Sequence, residues 1–65
     1  MPIEHTATQQ EMHELYSETV AGALRDAADL IESKEKDGWQ VGDVDVSVTA
    51  GFNRIKVVFL RNLEA

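Results

Sequence analysis

Few side chains in this 65-residue chain could do chemistry, and they are scattered. His13 stands between Glu11 and Glu14, a titrating imidazole beside two carboxylates. General acid–base work needs a positioned partner and a pocket. Read at helical spacing, His13 falls off the apolar stripe and beside Ser17, which predicts a solvated histidine. His5 lies in a patternless segment and is read the same way. Glu11, Glu14 and Glu18 share one face at that spacing, but hard cations want a loop or cage of converging oxygens, and no such spacing occurs. No metal site is expected. The same carboxylates could instead imitate nucleic-acid phosphates and steer the chain into a basic groove on another protein.

Arg54, Lys56 and Arg61 make the only basic stripe. Their plain role is to protect a strand edge; their functional role would be to dock an acidic partner or a phosphate. Among the aromatics, Tyr16 and Phe59 sit in apolar periods and belong to a core. Trp39 is placed to seal a helix–hairpin corner with its indole N–H at a polar rim. Phe52 falls in a turn, where it is either tucked under the chain or a contact for a partner. No glycine-rich phosphate loop, nucleophile elbow, paired catalytic carboxylates or metal motif occurs. There is no cysteine, so disulfides, thiolate zinc sites and cysteine nucleophiles are excluded. The chain is therefore expected to be no enzyme and to carry no cofactor.

The elements that must hold these residues are set by a change of hydrophobic period around Asp37-Gly38-Trp39. Before it, Met12, Leu15, Tyr16, Thr19, Val20, Ala23, Leu24, Ala27, Leu30 and Ile31 recur at helical spacing. Thr8-Gln9-Gln10-Glu11 reads as a capping box, Glu32 and Lys36 as an i,i+4 pair, and Gly38 as the stop. After the switch, Val44, Val46 and Val48 alternate with Asp43, Asp45, Ser47 and Thr49, a half-buried strand. A phase shift at Gly42 predicts a bulge or turn. Ala50-Gly51-Phe52-Asn53 forms the connection to a second strand, Arg54 to Arg61, that is substantially apolar on both faces.

The expected fold is α+β: one long N-terminal amphipathic helix, then an antiparallel hairpin (α-β-β). Residues 1–7 would form a flexible arm and 8–65 a single small domain. A helix of nearly thirty residues would run about 40 Å, against about 23 Å for a seven-residue strand. One hairpin cannot cover it, and a domain this small buries only about 60% of its unfolded surface. The expected remedy is a two-fold homodimer with a shared sheet. Val58, Leu60, Leu24, Ala27 and Ile31 would be its interface, with the small residues of the helix allowing close approach.

The net charge is −6. Acidic groups dominate residues 1–53, a poor start for neutralising phosphates, so direct nucleic-acid binding is not expected. No run of about 18 apolar residues could span a membrane, and the N-terminus has no secretory pattern; the expectation is a cytoplasmic protein. These features point to a non-enzymatic, acidic protein-binding module, a homodimer that binds or inhibits a partner protein through Phe52, Glu11, Glu14 and Glu18. Size and charge match the accessory proteins that phages and mobile elements direct at host defence or regulatory systems. The alternatives are a structural subunit of a larger particle, and a small-ligand binder or enzyme with its pocket at the dimer seam.

Overall fold

The computed structural model describes residues 7–63 and shows an α+β fold in the order β-α-β-β. Strand β1 runs Ala7–Ser17, helix α1 Val20–Lys36, β2 Gln40–Thr49 and β3 Phe52–Leu63. All three strands share one antiparallel sheet in the order β1-β3-β2. Residues 1–6 of the expected arm, with His5, lie outside the described residues, and Ala7 already belongs to β1.

The helix does not come first. Residues 8–17, read above as its opening turns, form a strand paired with β3 along its whole length, from Ala7 opposite Leu63 to Ser17 opposite Asn53. Helix propensity is a weak prior that tertiary context overrides. The context here is β3. Its two apolar faces call for a neighbour on each side, and β1 supplies within the chain the strand expected from a second subunit. The helix starts instead at Thr19, whose backbone is extended (φ −122°, ψ 147°) and whose Oγ1 accepts from the Gly22 N–H at 3.0 Å. That is an ordinary N-cap. It ends where expected: Gly38 takes φ 89°, and the Gly38 N–H donates to the Glu35 carbonyl at 3.1 Å.

The hairpin forms as expected but with a tighter connection: Phe52 and Asn53, read above as part of the turn, are the first residues of β3. Gly51, at φ 76°, turns the chain between Thr49 and Phe52, which pair directly. The register shifts between Val41 and Asp43, so Gly42 is the expected bulge. A Cβ there would sit 2.8 Å from Leu60 Cδ1, so the close approach also favours glycine.

The core is built on the helix-covered face of the sheet. Ile55, Val57 and Phe59 of β3 are buried beneath Ala23 and Ala27 of α1, with Trp39 closing one end and Leu15, Leu30 and Ile31 at its margin. The two alanines let the helix sit close over the central strand. Burying a side chain such as Ile55 or Phe59 stabilises by about 1.5–3 kcal/mol, and the fold has few of them. Asn53 is buried too, and its Nδ2 donates to the Ser17 carbonyl at 3.2 Å, tying β3 to the end of β1.

One helix cannot cover three strands. With side chains it is about 10–12 Å across, and neighbouring strands are about 4.8 Å apart. The inward residues of β1 are half-buried, but those of β2 are not: Val44 and Val46 remain 47% exposed and Val48 58%. On the helix, Val20 and Leu24 are exposed as well. The right hand that nearly all such β1–α1–β2 crossovers take would turn that flank of the helix toward β2. The result is an apolar trough between helix and edge strand.

Candidate functional site

Three places in the fold gather polar or apolar groups that the core does not use. The first is the helix-covered side near Trp39. Glu11 projects from β1 opposite Phe59 and accepts from Lys34 Nζ at 2.5 Å. His13 Nε2 lies 2.9 Å from the same Glu11 oxygen, and its ring meets Phe59 edge-on, with centroids 5.6 Å apart. The hydrogen bond from Lys34, then that from His13, holds the Glu11 carboxyl below the ordinary carboxylate range. Lys34 Nζ and the Arg61 guanidinium also lie 5.1 and 4.4 Å from the Trp39 ring centre, within cation–π range. Arg61 donates to Gln9 at 2.6 Å. This cluster ties the end of α1 and the end of β3 to β1. Its groups already satisfy one another.

The second place is the open face of the sheet, which no helix covers. Here the cross-strand rows decide the electrostatics. In one row Lys56 of β3 stands between Glu14 of β1 and Asp45 of β2. In the next, Arg54 stands between Tyr16 and Ser47, neither of which carries a charge. Phe52 and Thr49 close the end of the sheet. Together Tyr16, Ser47, Thr49, Phe52 and Arg54 line a concavity of about 420 Å³. The rings of Tyr16 and Phe52 are 5.3 Å apart and tilted by 52°. Tyr16 donates its hydroxyl to Glu14 at 2.5 Å, and that bond raises the phenol above its ordinary pKa. On the other side of the two rings a smaller hollow of about 200 Å³ is bordered by Glu18.

The third place is the trough of Val44, Val46 and Val48 beside Val20 and Leu24.

The residues singled out from sequence separate onto these surfaces. Glu11, Glu14 and Glu18 share no face: Glu11 is on the helix side, Glu14 on the open face, and Glu18 in the link between β1 and α1. The reason is the strand at 7–17, where successive side chains alternate. His13 is half-buried, with Glu11 and Phe59 against its ring, and part of its side chain stays open to water. Phe52 is 56% exposed at the turn, against the Tyr16 ring rather than under the chain. Val58 and Leu60 are half-buried on the open face, opposite Met12 and Gln10. Ala27 is buried in the chain's own core, Ile31 is half-buried at its margin, and Leu24 is exposed. Sequence reasoning missed the Tyr16–Arg54–Ser47 row, because it appears only once β1 is a strand. The alternation Met12, Glu14, Tyr16 against His13, Leu15, Ser17 was the available signal.

Among the described residues no group of three or more His, Asp or Glu side chains is placed to hold a metal ion, and no helix is long and apolar enough to cross a membrane. Comparison with protein-family models, curated proteins and solved structures finds no match to this chain.

Proposed function

We propose that the chain is a non-enzymatic protein-interaction module that works as a homodimer and binds or inhibits a partner protein. The observation that supports this most directly is the trough: three valines of an edge strand and two apolar residues of the neighbouring helix face water on the side of the sheet meant for burial. A contiguous apolar patch of this kind marks an association surface. A twin is the simplest occupant, since a two-fold contact lets one patch cover itself.

The charges favour docking through the trough over joining β2 edge to edge. Edge pairing of two β2 strands would bring two copies of Asp43 and Asp45 together on the open face, and like charges opposite each other destabilise a pair. Docking through the trough leaves those carboxylates on the far side of the sheet. In that arrangement the open face, with Phe52 and Glu14, stays outward as the surface for the partner protein, with Glu18 at its border. An accessory protein acting on a host defence or regulatory system fits the size and acidity, and the cytoplasm is the compartment proposed for it.

The test is a Val46→Asp variant. A module of this kind becomes monomeric and keeps its far-ultraviolet dichroism. An unchanged mass would remove the trough as the seam.

A further inference from the structure

The concavity on the open face is shallow and widely open to solvent. Its floor is the row Tyr16–Arg54–Ser47, one residue from each strand, so it stands on the sheet and not on a loop. Its volume of about 420 Å³ falls within the range of small-molecule sites. In a chain of net charge −6, the lining contains one cation and no carboxylate. Lys56, one row away, is compensated by Glu14 and Asp45; Arg54 makes no ion pair among the described residues. A guanidinium in that position presents a fork that matches a carboxylate. Beside it, the Tyr16 ring is fixed by the hydroxyl bond to Glu14, and with Phe52 it offers a tilted pair of faces to a planar group. The Ser47 hydroxyl is a further donor, while that of Thr49 is spent on the Phe52 carbonyl at 2.9 Å.

We infer that this concavity binds a small aromatic carboxylate, its ring against Tyr16 and Phe52 and its carboxylate on Arg54 and Ser47. Glu14, held on the Tyr16 hydroxyl, and Asp45 stand one row away and limit the affinity. The site lies on the other side of the sheet from the trough, so it stands whether or not the chain dimerises.

The experiment is a nuclear magnetic resonance titration of the whole isotope-labelled chain with indole-3-carboxylate, and in parallel with the neutral indole-3-carboxamide. The acid should shift the amides of Tyr16, Ser47, Phe52 and Arg54, and bind on the order of ten-fold tighter than the amide, as a charge-assisted pair requires. Arg54→Gln should abolish that preference, and Glu14→Gln should strengthen binding of the acid. Equal affinities for acid and amide would overturn the inference. So would shifts confined to Val20, Leu24 and Val46, or no shifts at millimolar ligand. If Arg54→Gln does not fold, the acid–amide comparison on the unaltered chain still decides.

Discussion

Val46 and Ile55 are direct cross-strand partners on the same face of the sheet, yet Ile55 is 1% exposed and Val46 47%. The helix ends its cover between them. A branched apolar side chain kept in water beside one wholly buried is the sign of a surface waiting for a neighbour, and the proposed dimer follows from this contrast.

Charge placed in the trough should therefore act on assembly and not on folding. Val46→Asp and Leu24→Asp each should give a monomer with native secondary structure, read by light scattering and circular dichroism. Val58→Asp, on the open face, serves as the contrast: it should leave the mass unchanged if the trough is the seam.

The Glu11 carboxyl links stability to pH. Its folded pKa is held below the ordinary value of 4.5 by Lys34 first and His13 second. A depressed carboxyl contributes stability above its unfolded pKa and loses it as pH falls through the folded value. Glu11→Gln should thus melt lower than the parent at neutral pH, and the difference should shrink as the pH is taken below 4.5. A difference that stays constant on acidification would assign the effect to packing.

At the start of the helix, Thr19 is the cap and no acidic residue stands in the first turn to assist it. Thr19→Ala should cost about 1 kcal/mol, measured as a lower midpoint in urea. Thr8→Ala, at the position of the capping box expected from sequence, should cost no such amount, because Thr8 lies in β1. Equal losses would contradict this assignment.

Asn53 is the polar group the core depends on. Asn53→Ala removes the hydrogen bond to the Ser17 carbonyl and should destabilise by about 1–3 kcal/mol. Hydrogen exchange should show the Ser17 end of β1 opening first. Uniform loss of protection across the sheet would argue against a local tie.

The hairpin, its bulge at Gly42, the turn at Gly51 and the helix stop at Gly38 were legible in the sequence, because glycines and strict alternation fix local geometry. The first strand was not. Residues 7–17 contain good helix formers, and Met12, Leu15, Tyr16 and Thr19 happen to fall at helical intervals that run straight into the true helix. Two mismatches carried the right information: the helix was too long for its hairpin, and β3 was apolar on both sides. Both mismatches are met first by a third strand in the same chain. The alternation of β2 predicts a half-buried strand, but one helix is too narrow to bury its valines, and Val44, Val46 and Val48 stay exposed. The row of Tyr16, Arg54 and Ser47 joins three strands, and no local pattern announces such a register.

The most direct measurement is absolute mass in solution, by light scattering behind a sizing column, over a dilution series of the parent chain and Val46→Asp. The expected result is twice 7.2 kDa for the parent, falling only on strong dilution, and 7.2 kDa for the variant. A parent chain that is folded and monomeric at every concentration would contradict the central claim.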